Sequence, residues 1–293
     1  MLEKAFRNRP QFMCIGSRIE HADQPFAPLF FYHVPKTGGL SFFTAMRSAM
    51  GAAAAFGDRS VELRGNASRG MRMDGPVCDA GLFEEDFGVI ASHLSFGFHR
   101  NFRQDFRLAT IVRDAVGRVC SDYTYTSMRR QEAVSGDRFQ AHFRQERNIN
   151  RATKQLAGQV NLDEPASADL LDRAIANLEG NFEAFVTHQQ INDLIRYYLS
   201  VYKLPNVLMD RLNVTLPAYR LDPAPWKGEI IGLNAADYRL YQYVRDHARL
   251  PRLELTGDRC HGRTVIINGI PGASMMYAQA DCLPTDEVLR RAA

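Results

Sequence analysis

The sequence lacks several features that would place a protein in a broad class at once. Its five cysteines form no CxxC pair, and its eight histidines form no HExxH motif or Cys/His group. We therefore predict neither a metal site nor a disulfide framework, and we expect reduced thiols, with a Cys260–Cys282 link as the alternative. The N-terminal stretch MLEKAFRNRPQFMCIGSRIE has no apolar run long enough for a secretion signal or a membrane anchor. We expect a cytoplasmic protein without a membrane span.

A large charge imbalance is also absent. Lysine and arginine number 36 against 33 aspartate and glutamate residues, so the formal net charge is only +3. This charge is too small to predict nucleic-acid binding, but it is compatible with local positive sites for a small anion. The length of 293 residues allows one substantial core in one or two domains.

The sequence does contain short apolar runs that alternate with helical patterns, which is typical of an α/β fold with a parallel β-sheet flanked by helices. We predict strands at 29–34, 89–91 and 109–112, helices at 41–50 and 116–129, and a helix, a strand and a helix within 170–202.

Three parts of the chain are predicted from its changes in composition. Residues 1–28 are interpreted as an irregular N-terminal arm, 29–250 as the α/β domain, and 251–293 as a C-terminal extension packed on the same domain, with irregular strands and a final helix. The chain turns polar and basic from about residue 128, which predicts a helical insertion that extends to about residue 180.

The motif PKTGGLS, residues 35–41, stands between the first predicted strand and the first predicted helix. A glycine-containing turn at that point directs free backbone N–H groups at whatever lies above the helix N-terminus, which favours an anion. In the nucleotide-binding motif GxxxxGK[ST] the lysine follows the glycines. Lys36 instead precedes Gly38 and Gly39, so residue order argues against that ATP-binding loop.

Two further strand ends carry residues suited to anion binding and proton transfer. In FRLATIVRD the apolar strand is followed by Arg113, and Ser121 comes eight residues later on the predicted helix. An arginine can bind a phosphate through two hydrogen bonds, and a helix face can bring a hydroxyl alongside it. In IASHLSFGF the strand is followed by His93, whose imidazole could accept a proton near neutral pH.

The order of these motifs resembles the sulfotransferases that use 3′-phosphoadenosine 5′-phosphosulfate (PAPS), in particular the carbohydrate 2-O-sulfotransferases and their bacterial relatives. The resemblance covers about residues 29–245. It implies a P-loop-type sheet and a cofactor site for PAPS and its product PAP. The residues it assigns to the 5′-phosphosulfate are Lys36, Thr37, Gly38, Gly39, Leu40 and Ser41, and those for the 3′-phosphate are Arg113 and Ser121.

The resemblance also implies a catalytic role for Lys36 and for His93, which would take the proton of an acceptor hydroxyl, expected on a sugar. It implies no requirement for a metal. The stretch NINRATKQLAG, 148–158, is similar to a further family segment, so Asn150, Thr153 and Lys154 are candidates for lining the cleft. The competing interpretation of this stretch is a solvated basic helix.

Some positions depart from the family. Leu40 stands where relatives often have threonine, which removes one hydroxyl contact, and His188 stands where they often have glutamate. Two other functions remain open at this point. One is a P-loop nucleotide kinase or NTPase, which would bind ATP with Mg²⁺. The other is a non-catalytic protein that binds PAP.

Overall fold

A computed structural model describes residues 12–14, 18–19, 28–43, 45–46, 61–62, 69–71, 89–202, 206–209, 216–251 and 264–267. The strands are β1 (Phe12–Cys14), β2 (Arg18–Ile19), β3 (Leu29–Tyr32), β4 (Val61–Glu62), β5 (Arg69–Met71), β6 (Val89–Ser92), β7 (Arg107–Val112), β8 (Phe182–Thr187), β9 (Asn206–Met209) and β10 (Thr264–Ile267). The helices are α1 (39–43 and 45–46), α2 (Ala115–Arg130), α3 (Gly136–Phe143), α4 (Arg151–Leu156), α5 (Leu170–Asn181), α6 (Ile191–Val201), α7 (Lys227–Leu233) and α8 (Ala235–His247).

The centre of the described fold is a four-stranded sheet in the order β6-β3-β7-β8. Every neighbouring pair in this sheet is parallel. Parallel strands require crossover connections, which here contain helices that cover the sheet. The predicted α/β fold with a parallel sheet and flanking helices is confirmed. No helix in the described ranges is both long and apolar enough to cross a membrane.

Strand β3 is apolar throughout because both of its faces are covered. Leu29 and Phe31 pack on one face of the sheet with residues of α1 and α6. Phe30 and Tyr32 pack on the other face with residues of α4, α5 and α8. Because successive side chains of a strand point to opposite faces, a strand covered on both sides must be apolar at every position.

The N-terminal arm is not irregular where the structure describes it. Strand β1 pairs antiparallel with β5, and β2 pairs antiparallel with β4. The partners lie some fifty residues away in sequence, so no local pattern in 1–28 could indicate them. In the C-terminal extension, β10 pairs in parallel with β9, and the predicted final helix lies outside the described residues.

The basic segment after residue 128 forms helices α3 and α4, as predicted, but α4 is not solvated. Its residues Ala152–Leu156 are all buried. Helix α4 packs against α5 and α8, and α3 packs with α2 and α7 around Phe139 and Phe143. The interpretation as a solvated basic helix is therefore wrong for α4, while its status as an insertion stays a prediction.

A buried ion pair joins α2 to α8. Arg118 Nε lies 3.4 Å from Asp237 Oδ2, and each side chain is 1% exposed. The second carboxylate oxygen of Asp237 accepts hydrogen bonds from the backbone N–H and the hydroxyl of Thr153, both at 2.8 Å. The carboxylate thus connects three helices.

Replacing Asp237 with alanine should lower the free energy of unfolding by about 3–5 kcal/mol, because Arg118 would remain as an uncompensated buried charge. Urea unfolding followed by circular dichroism measures this change. Asp246, which forms an exposed pair with Arg245, provides the control, and Asp246→Ala should leave the midpoint nearly unchanged. Equal effects of the two substitutions would contradict a special role for the buried pair.

Candidate functional site

The four parallel strands end at the same edge of the sheet, and a polar residue follows each of them. Lys36 follows β3, His93 follows β6, Arg113 follows β7 and His188 follows β8. In open α/β sheets this carboxyl edge is where ligands bind. Residues that are widely separated in the sequence thereby come to share one candidate site.

The backbone of the loop after β3 has positive φ angles at one lysine and one glycine. Lys36 has φ of 68° and Gly38 has φ of 98°. A lysine in this left-handed region is uncommon, and such strain is concentrated at functional sites. The Thr37 side chain is buried, and its hydroxyl donates to the Val34 carbonyl at 2.8 Å, which closes the turn.

Gly39 begins α1 and cannot be replaced without moving a histidine. A Cβ at this position would lie 2.0 Å from His33 Cδ2. The backbone N–H groups of Ser41 and Phe42 both donate to the Gly38 carbonyl, at 2.9 and 3.2 Å. The preceding amides, Gly39 and Leu40, lie in the first helical turn, whose N–H groups have no carbonyl partner within the helix. The predicted set of free backbone N–H groups at the N-terminus of this helix thus has a local structural basis.

Arg113 bridges from the end of β7 to this loop. Its Nη1 donates to the carbonyl oxygen of Lys36 at 3.2 Å. Its Nε is buried without a hydrogen-bond partner among the described residues and lies 4.0 Å from Asp114 Oδ2. Burial lowers the pKa of Arg113, and the Asp114 carboxylate opposes that change. One donor of this guanidinium, Nε, is therefore unused within the described residues.

One face of α2 runs beneath this arrangement. A Cβ at Gly117 would lie 3.0 Å from Arg113 Nε, so the arginine passes directly over this glycine. Ser121 and Tyr125 follow at intervals of four residues, which places them along the same helix face. Lys36 Nζ lies 3.6 Å from the centre of the Tyr125 ring. Helix α2 therefore brings Ser121 between the Arg113 end and the Lys36 end of the site.

Lys36 has a perturbed amine. Burial lowers its pKa to about 8, the Asp122 carboxylate opposes this change, and Arg113 adds to it. A lysine that titrates close to neutral pH is typical of a functional site. The amine still carries its proton on most molecules at pH 7.

His93 has a defined proton arrangement. Its Nδ1 lies 2.7 Å from the carbonyl oxygen of His33. Because a carbonyl only accepts, Nδ1 carries the hydrogen and the neutral ring presents its lone pair at Nε2. Burial lowers the pKa of His93 to about 4, the His33 hydrogen bond opposes this change, and Arg151 and Lys36 add to it. His93 is therefore neutral at pH 7 and can accept a proton.

Two neighbours support His93. The ring of His33 lies 4.3 Å from the ring of His93, centre to centre. Gln155 Nε2 donates to the carbonyl of His33 at 3.3 Å and to that of Leu94 at 3.1 Å. These contacts give His33 a structural role, since its carbonyl orients His93 and its ring packs over Gly39.

The three residues of 148–158 that were predicted to line the cleft all make contacts within the protein. Asn150 Oδ1 accepts from the backbone N–H groups of Ala236 and Asp237 at the start of α8. Thr153 is bonded to Asp237 as described above. The amine of Lys154, which is 0% exposed, donates to the Glu146 carboxylate at 2.6 Å. These contacts account for all three residues structurally, and their cleft role stays a prediction without support.

Asp114 and Trp226 also have structural contacts. Asp114 caps α2, because its carboxylate accepts from the Gly117 N–H at 2.6 Å. Trp226 packs edge-on against Phe139 with ring centres 5.4 Å apart. The tryptophan is partly buried and packs at the edge of the cluster that contains Phe139 and Phe143.

Sequence reasoning missed two charged residues that act on the site. Asp122 interacts electrostatically with both Lys36 and His93, and it bonds His142 Nε2 at 3.1 Å. Burial raises the pKa of Asp122, but His142, Arg151 and Arg118 hold it below its usual value. Arg151 is half-buried and interacts electrostatically with Asp122 and His93, and its buried Nε has no hydrogen-bond partner in the described ranges. Neither the residue type of Asp122 and Arg151 nor their position in the sequence indicated these roles.

Comparison with known proteins does not identify the chain. No protein-family model matches it, and no curated protein gives a significant match.

Proposed function

We propose that this chain is a PAPS-dependent sulfotransferase with a P-loop-type sheet, acting on an acceptor hydroxyl of a carbohydrate or glycoconjugate. The observation that carries the proposal is the hydrogen bond from Arg113 to the carbonyl of Lys36. It brings the Arg113 guanidinium to the Lys36 loop, at the sheet edge that also carries the neutral His93. Two cations at one edge of the sheet suit a donor that has anionic groups at both its 3′ and 5′ positions.

The residues present fit this donor. The buried Nε of Arg113 lacks a hydrogen-bond partner among the described residues, and Gly117 lets the arginine pass close over α2. The positive-φ turn and the first amides of α1 are suited to a phosphate. Lys36, Thr37, Gly38, Gly39, Leu40 and Ser41 would hold the 5′ end, and Arg113 and Ser121 the 3′-phosphate.

PAPS supplies the sulfuryl group, which passes to the acceptor oxygen and leaves PAP and a sulfate ester. In the proposed reaction His93 Nε2 takes the hydroxyl proton of the acceptor, and it does so from the neutral state that its environment maintains. Lys36 carries a positive charge where negative charge grows on the leaving phosphate oxygen. Both groups are held by the fold before the reaction, so little reorganisation is needed.

The remaining features of the proposal follow from the resemblance and from the chemistry. The leaving group is already a stable anion, so the proposed mechanism requires no metal. A sugar hydroxyl is the proposed acceptor, with no nucleic-acid partner, and the cytoplasm is the proposed location.

Two alternatives differ in their ligands. A P-loop kinase would bind ATP with Mg²⁺, and the order of Lys36 before Gly38 and Gly39 argues against it. A non-catalytic protein would bind PAP without turnover. The neutral His93 beside a charged Lys36 favours an enzyme, since simple binding has no need of a base.

Thermal unfolding with different nucleotides tests the proposal. At about 100 times its Kd, PAP should raise the melting temperature by at least about 5 °C, whereas ATP and ADP, which lack a 3′-phosphate, should raise it much less. Arg113→Ala should remove most of the PAP effect. An unchanged PAP shift in this variant would reject the 3′-site, and a larger shift with ATP and Mg²⁺ would favour the kinase.

Turnover separates the enzyme from the binding protein. Mass spectrometry of a glycan panel incubated with PAPS should detect a sulfated product. Stabilisation by PAP together with no sulfated product from any acceptor class would support the binding protein instead.

A further inference from the structure

The contact between Lys36 and Tyr125 is not explained by the loop alone. The amine lies 3.6 Å from the ring centre, well inside the distance at which a cation is attracted to an aromatic face. Lys36 is on the loop after β3, whereas Tyr125 is on the third turn of α2. The contact therefore fixes the amine against a different element of the fold.

Some charged groups around this contact favour the charged form of the Lys36 amine, and others disfavour it. Asp122 on α2 favours the charged amine, whereas Arg113 after β7 disfavours it. His33 after β3 and His93 after β6 also interact with Lys36, and each histidine is neutral because of burial. Arg129, further along α2, has its guanidinium carbon 5.8 Å from the centre of the same ring. Burial disfavours the charged amine, and attraction from Asp122 and from the ring opposes this effect.

We propose that Tyr125 is a positioning residue for Lys36, whose aromatic face holds the amine charged and in place beside Ser121. This inference rests on the proposed function, because it assigns Tyr125 to the same donor site. The ring acts through Lys36 and takes no part in the reaction itself. Its hydroxyl is not required.

The test compares Tyr125→Leu with Tyr125→Phe. Removal of the ring disfavours the charged amine, so the pKa of Lys36 should fall by about one unit in the leucine variant. The phenylalanine variant keeps the aromatic face and should retain the wild-type value of about 8. Should the leucine variant fail to fold, Tyr125→Met carries the same expectation.

The pKa of Lys36 is measured without any substrate. The rate of amine acylation is followed against pH by peptide mass spectrometry, with the exposed Lys227 as internal reference. An unchanged pKa in the leucine or methionine variant would overturn the proposal. A fall in the phenylalanine variant as large as that in the leucine variant would also overturn it, because the hydroxyl would then be responsible.

A second measurement follows turnover with PAPS against pH. The alkaline loss of activity should begin about one pH unit lower in the leucine variant, with rates approaching wild type at pH values where Lys36 is fully protonated. A leucine profile that coincides with wild type would overturn the proposal. A lower Lys36 pKa in the leucine variant, together with no PAPS-dependent turnover by the wild-type chain, would support the role of Tyr125 and reject the proposed function alone.

Discussion

Replacing Lys36 with alanine is expected to lower turnover with PAPS by about 10³-fold, because it removes a preorganised positive charge at the oxygen where negative charge develops. The backbone strain at this position is unchanged, since alanine and lysine are equally disfavoured at φ of 68°. The melting temperature should therefore change little. Steady-state kinetics with a sulfated-product assay measures the effect.

Two matched variants make this result specific. Lys36→Met keeps most of the length of the side chain without its charge and should be as inactive as the alanine variant. Lys227→Ala removes an exposed lysine of α7 and should leave turnover unchanged. Near-normal turnover in either Lys36 variant would reject the role of the amine.

Replacing His93 is expected to lower turnover by about 10²- to 10⁴-fold while leaving PAP affinity near its wild-type value. His93→Ala removes both the base and the hydrogen bond to the His33 carbonyl. His93→Asn is the sharper test, because its amide can still donate to that carbonyl while it offers no basic nitrogen. Both variants should lose activity to a similar extent, with PAP binding measured by calorimetry.

The pH dependence of the wild-type chain gives an independent check on His93. The base must be neutral, so activity should be lost as the pH falls through about 4, where His93 becomes protonated. Lys36 must be charged, so activity should be lost as the pH rises through about 8. Any residual activity of the asparagine variant should not fall near pH 4, because this variant has no imidazole to protonate. Unaltered turnover in the asparagine variant would remove His93 as the base.

The sheet was predictable because its signals are local. Residues 29–32 are aliphatic or aromatic at every position, which indicates a strand covered on both faces, and β3 is such a strand. Helix α2, predicted at 116–129, extends over Ala115–Arg130. The pairing of β1 with β5 was not predictable, because it joins segments distant in sequence.

The candidate site was predictable where residues follow strand ends in a motif. Lys36, His93 and Arg113 were singled out in this way, and all three lie at one edge of the sheet. Gly117 was not, because a glycine within a helix normally indicates only weak helix propensity. Its importance arises from Asp114 and Arg113, because a Cβ at that position would lie 2.6 Å from Asp114 Oδ2 and 3.0 Å from Arg113 Nε. Tyr125 and Gln155 likewise depend on partners that lie on other elements.

The sequence by itself determined the alternation of strands and helices and the residues that follow three of the strands, since hydrophobic periodicity and turn chemistry act over short distances. Only the tertiary structure decided that Asn150, Thr153 and Lys154 are used in internal contacts, and that Tyr125 receives the amine of Lys36. Such assignments depend on which elements pack together, and packing brings into contact residues whose separation along the chain carries no local signal.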